Sequence, residues 1–150
     1  MLKILKERWA AKEHILRDEI AKIKDVNSVN YERLVELTFS VIYDELATEA
    51  ITKIDDGDYQ GTLLFVIPFR GYQPGPGDYL MTYVDYGSCG GCDILEAIKD
   101  YHLAREHSPD EDQIDDLLKL CRDIVMNTIK PYNFGWRHSE EFDHVEFEEG

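Results

Sequence analysis

Two thiols stand three residues apart in Tyr86-Gly87-Ser88-Cys89-Gly90-Gly91-Cys92-Asp93, a glycine-rich turn between an apolar strand-like run and a helix-like run. A pair so spaced can carry a lowered thiol pKa, hold a metal, or simply make a tight corner. If Asp93 caps the following helix, both sulfurs lie just ahead of its free N–H groups and positive dipole end, which favours thiolate over thiol. As metal ligands, Cys89 and Cys92 supply two of the four donors that structural zinc usually takes. The other two would have to come from His102, His107, His138, His144 or Cys121, none of which forms a second pair. Iron–sulfur ligation fails on count, since clusters normally take four thiolates. The plainest reading is a strand-to-helix corner whose cysteines are small packing residues, with zinc the one cofactor they could hold.

The order strand, Cys-Gly-Gly-Cys, helix is superficially similar to thioredoxin. That arrangement needs a βαβ unit before the motif, whereas two helices are expected here before the first strand, and the Asp93 carboxylate opposes a thiolate. Gly87, Gly90 and Gly91 make no dinucleotide fingerprint, and no Gly-x-x-x-x-Gly-Lys-Ser/Thr phosphate loop exists. Nine tyrosines are present, of which Tyr59, Tyr72, Tyr79, Tyr83 and Tyr86 gather around an expected hairpin. Sheet propensity accounts for part of this. A tyrosine-rich hairpin is also a good protein-binding surface, because tyrosine buries much area at small entropic cost.

Charge narrows the partners further. The chain of 150 residues carries 31 acidic against 16 basic side chains, a formal net of −15. Residues 1–24 hold seven Lys/Arg and four Asp/Glu, so the negative charge belongs to the remainder. Six acids fall between Glu106 and Asp116 and six more between Glu140 and Glu149. Such a surface repels nucleic acid and anionic membrane and suits a basic protein surface, including one that normally holds DNA or RNA. Candidate partner-binding residues are therefore Asp110, Glu111, Asp112, Glu140, Glu141, Asp143 and Glu146, together with Tyr59, Tyr72 and Tyr83. Cys121 falls on an apolar helical stripe and is expected to be a buried core thiol. No apolar run reaches the roughly 20 residues of a membrane span. With three cysteines and no signal peptide at the N-terminus, the expected location is a reducing cytoplasm.

The elements that must position these residues follow from periodicity. Residues 3–23 read as a helix with Leu5, Trp9, Leu16, Ile20 and Ile23 on one side. After a break at Asp25–Ser28, with Ser28 or Asn30 as N-cap, a second helix is expected to run to about Ala50 along Val35, Phe39, Ile42, Leu46 and Ala50. Thr62–Phe69 is a strand apolar on both faces and hence expected to be buried, and Tyr79–Tyr86 is its hairpin partner. A third strand is expected from the tail, where His144-Val145-Glu146-Phe147-Glu148 alternates, or from a second subunit. Asp93 with Glu96 reads as a capping box for a helix from Ile94 to Leu103. Ser108-Pro109-Asp110-Glu111 reads as N-cap, proline at N1 and acids in the first turn of another, with Ile114, Leu117, Leu118, Cys121, Ile124, Val125 and Ile129 on its apolar side.

Asp58-Tyr59-Gln60-Gly61 before one strand and Tyr86–Asp93 after the next resemble the paired motifs of an uncharacterised family of small phage and bacterial proteins. The resemblance covers residues 58 to about 98. It brings no assigned activity with it, and it implies a phage or mobile-element origin. The expectation is an α+β single domain: a helical hairpin (1–54), a β-hairpin with its Cys-x-x-Cys corner (58–92), two helices (93–130) and an acidic tail (131–150). Its expected role is a non-enzymatic factor that binds a host protein or a second copy of itself as a homodimer, without direct contact to nucleic acid or membrane. The alternative is a thiol-redox or zinc protein using Cys89 and Cys92.

Overall fold

Helix α1 (Lys3–Ala21) buries Ile4, Leu5, Trp9, Leu16 and Ile20 on the side read from the sequence. In the computed structural model, which describes residues 1–55, 57, 61–71, 78–87, 93–99 and 105–130, the chain then turns through Val26–Ser28. Helix α2 (Tyr31–Ile42) begins where the Asn30 side chain accepts from the Arg33 N–H at 2.8 Å, so Asn30 rather than Ser28 is the cap.

Helix α2 ends eight residues before the expected Ala50. Tyr43 leaves helical geometry, and the next residues bond to the far end of the hairpin instead. Ala47 N–H donates to Pro68 O at 2.7 Å, Arg70 N–H to Glu45 O at 2.7 Å, and Leu46 bridges Phe69. These long-range bonds satisfy the backbone as well as another helical turn would. Leu46 is buried as expected, though outside the helix, whereas Ala50 is exposed.

That early exit frees a strand the sequence reading missed. Strand β1 (Thr52–Asp55) pairs antiparallel with β2 (Gly61–Pro68), which pairs antiparallel with β3 (Tyr79–Tyr86), in the order β1-β2-β3. The third strand of the described sheet thus comes from residues counted with the helical hairpin; the tail after Lys130 lies outside the described residues. The outer edge of β3 is met by the chain after α4: Met81 and Ile129 exchange backbone hydrogen bonds of 3.0 and 2.7 Å, and Asn127 Nδ2 donates to Tyr83 O at 3.1 Å. Pro68 ends β2, where its missing N–H is tolerated.

The fold is α+β. Phe65, Ile67, Leu80, Thr82 and Val84 turn one sheet face into a single core shared with α1, α2 and α4 (Glu111–Met126). Thr82 is buried in that core without penalty, because its hydroxyl donates to Ile124 O at 2.6 Å. The same carbonyl, in the last turn of α4, accepts from Thr128 Oγ1 at 2.9 Å. The cap of α4 lies two residues later than expected: Asp110 and Gln113 form the reciprocal box, at 2.8 and 2.9 Å, and Ser108 and Pro109 precede it. Gln113 wins the register because its amide also donates to Ile98 O at 3.0 Å, tying α4 to α3. Helix α3 (Ile94–Ile98) is five residues long, since Lys99 turns extended rather than continuing towards Leu103.

Candidate functional site

The two motifs singled out in the sequence meet at one end of the sheet. Gly61, the last residue of the first motif, pairs in register with Tyr86, the first of the second. One strand residue further in, Thr62 Oγ1 donates to Asp85 Oδ1 at 2.7 Å. Across the strands, the Tyr86 hydroxyl lies 2.6 Å from both Asp55 Oδ1 and Gly57 O, so its single proton serves one acceptor at a time. That hydroxyl, helped by the Gly57 N–H, holds the Asp55 carboxyl below its usual range.

Asp93 closes the second motif from the other side. It caps α3 as the sequence predicts, accepting from the Glu96 N–H at 3.2 Å, but that is one bond of several. Its second oxygen accepts from the Gly87 N–H at 3.2 Å, which draws together the two ends of the Ser88–Cys92 segment. Tyr31, at the start of α2, donates its hydroxyl to Asp93 Oδ1 and accepts from the Leu95 N–H at 3.2 Å. Both side chains are buried. Burial first, and the bond to Asp93 second, push the Tyr31 hydroxyl well above its ordinary pKa, so it remains a proton donor. Tyr31 and Asp93 thus form a fastening between three elements. Glu96, expected to reach back to the cap, has its carboxylate 3.3 Å from Lys99 Nζ.

Beside this fastening lies an open cleft of about 220 Å³, lined by Tyr31, Lys53, Asp55, Tyr86, Asp93 and Lys99 among others. Its charges answer one another locally: Lys99 faces Glu96, and Lys53 lies 3.7 Å from Glu32. Sequence reasoning found Asp93 and Tyr86 but not Tyr31 or Asp55. Tyr31 stands 62 residues from its partner and looks like any first-turn aromatic. The alternation in Thr52-Lys53-Ile54-Asp55 was the available signal for β1 and hence for Asp55.

Cys89 and Cys92 lie outside the described residues, as do Tyr59, Tyr72, Glu140, Glu141, Asp143 and Glu146. Among the described residues no group of three metal-ligating side chains comes together. Cys121 is fully buried as expected; desolvation pushes its thiol up to about 12, against a smaller opposing pull from a hydrogen bond with Thr38.

The remaining candidates divide between two surfaces. Asp110 is committed to the α4 cap, and Glu111 is paired with Arg17 at 3.0 Å, where Arg17 also reaches Asp115 at 2.6 Å. Asp112 and Asp116, one turn apart on the same exposed side, have no ion pair among the described residues. Tyr83 is on neither the cleft nor this helix. It stands 42% exposed on the sheet face turned away from the helices.

Comparisons with protein-family models, with curated proteins and with solved structures returned no match. No described helix is long and apolar enough to cross a membrane.

Proposed function

We propose that this chain is a non-enzymatic, cytoplasmic protein-binding factor of phage or mobile-element type, whose acidic side captures a basic surface of a host protein. A surface that ordinarily holds nucleic acid is the natural target, because it already presents Lys and Arg to a run of negative charge. The observation that carries the reading is the exposed side of α4. There Asp112 and Asp116 repeat at one-turn spacing and make no ion pair among the described residues, while neighbouring Glu111 and Asp115 are answered by Arg17. Like charges so spaced destabilise a helix by about 0.2–0.5 kcal/mol, and a basic partner removes that cost. By contrast the Asp93 carboxylate is engaged by three donors, a pattern that suits a fastening.

The test is capture on the immobilised full chain across a salt series, with wild type beside Asp112→Asn/Asp116→Asn and a variant neutralised at Glu140, Glu141, Asp143 and Glu146. Capture that weakens steeply with salt, and weakens again in both variants, supports the reading. A partner retained equally at high salt and by both variants overturns it.

One observation favours a second reading, a thiol or zinc site at Cys89 and Cys92. The Gly87–Asp93 bond holds together the two residues that flank the Ser88–Cys92 stretch in sequence, and fixed flanks favour a preorganised ligand pair. Metal analysis and thiol titration of freshly purified protein decide it: bound zinc or a fast thiol that Cys89→Ser abolishes supports the site, and neither rejects it.

A further inference from the structure

The sheet has two faces, and the described helices cover only one. On the other face the register builds two rows across the strands. Ile54, Leu64 and Tyr83 form one; Thr52, Val66 and Met81 form the second, which Ile129 extends through its bridge to Met81. Ile54 is 50% exposed, Tyr83 42% and Ile129 43%. A solvated antiparallel face normally carries polar side chains outward. Here the outward positions of all three strands include one charged residue, Asp85, and its carboxylate is engaged by Thr62. In a chain that is 31% charged, so complete a clearing of charge is the mark of an interface core rather than of a wet surface.

We infer that this face docks a second copy of the same chain, sheet against sheet about a two-fold axis. Charge selects that occupant. A basic partner is recognised by carboxylates, and this face offers none that is not engaged. A nearly uncharged face of apolar, tyrosine and threonine side chains can meet its own copy without setting like charges together, which is what a two-fold interface demands. The chain's −15 does not forbid the pairing. Helix α4 lies against the opposite, core face through Thr82 and Ile124, so its acids stand a full layer, roughly 10 Å, behind the contact. That exceeds the screening length of about 8 Å at physiological salt.

Size sets the expected strength. Three strands about 4.8 Å apart, the longer two eight residues long at about 3.3 Å each, give a footprint of roughly 14 by 26 Å. That is roughly 360 Å² per copy, below the size of a stable specific interface, so the dimer is a weak and readily reversible one. Dimerisation through the sheet is independent of capture of a basic partner, and salt separates the two. Added salt screens repulsion between copies and strengthens the dimer, whereas it weakens capture by the acids.

Sedimentation velocity on the full chain, from roughly one to roughly a hundred micromolar and at two salt concentrations, is the test. The expected result is a reversible dimer favoured by higher salt. Tyr83→Lys and Ile54→Lys, both at exposed positions, should each weaken it at least tenfold while circular dichroism and thermal unfolding stay close to wild type. A wild-type monomer throughout the range overturns the inference, whether the face stays open or the chain's own residues beyond Lys130 cover it. So does a dimer that both lysine variants leave intact.

Discussion

Asp93 concentrates more of this structure than any composition statistic suggests. It lies one residue beyond the Cys-x-x-Cys pair and serves Tyr31, Gly87 and Glu96 at once. Asp93→Ala strands three donors, two of them buried, at about 1–3 kcal/mol each, so a loss of roughly 3–5 kcal/mol is expected in urea denaturation. Tyr31→Phe, which removes one donor and leaves Asp93 its backbone bonds, should cost about 1–2 kcal/mol. The double variant should fall short of the sum because the two share a bond. Cys121 makes a different residue-scale prediction. Its folded pKa is raised to about 12, so below the ordinary thiol range folded and unfolded states are protonated alike. Between about 8.5 and 12 the unfolded chain releases that proton and the folded one does not, so stability falls as pH rises. Cys121→Ala should flatten this alkaline decline in denaturation curves, and the native Cys121 should ignore thiol reagents at neutral pH until the chain unfolds.

At the scale of elements, caps and exits decide the boundaries. Asp110→Ala breaks the box that starts α4 and should cost about 1 kcal/mol, whereas Ser108→Ala, at the cap expected from sequence, should be near neutral. Thermal melts of the pair distinguish the two registers directly. Ser-Pro-Asp-Glu is a sound start signal, but Gln113 sits three residues after Asp110 and reaches Ile98 O, so the tertiary bond chooses between two acceptable caps. The same logic ended α2 at Ile42. Leu46 and Ala50 continue a helical stripe on paper, yet Ala47 and Glu45 bond to Pro68 and Arg70, and periodicity carries no record of a partner more than twenty residues away.

For the whole molecule, the separation of charge from apolar surface matters more than the total. Acids stand on the exposed side of α4, while the outer sheet face is nearly free of them. Self-repulsion from a net −15 destabilises the compact state, so raising ionic strength from a few millimolar to about half molar should raise the thermal midpoint by several degrees, followed by circular dichroism. If the midpoint instead falls or stays fixed, the acids are better compensated than the ion pairs of Arg17, Arg8 and Arg70 suggest.

The α+β class, the stripe of α1, the stripe of α4 as far as Val125, the hairpin of β2 and β3, the buried Cys121 and the Asp93 cap were legible in the amino-acid order. Each is a local matter: burial on one face imprints a period of 3.6 or 2, and a cap needs only three neighbouring residues. Ile129, expected on the α4 stripe, instead lies past the helix end in a bridge to Met81 and is exposed. Where α2 stops, that Tyr31 fastens Asp93, and that the described helices cover β2 on one face only, where burial on both was expected, belong to the tertiary structure alone. The alternation of Thr52–Asp55 was present but too short to mark a strand by itself. An apolar residue in a two-sided strand reads the same whether a helix covers it or not. Backbone and hydroxyl groups bond to whatever the fold brings near, and the energy that selects those partners is spread along chain separations that no local pattern encodes.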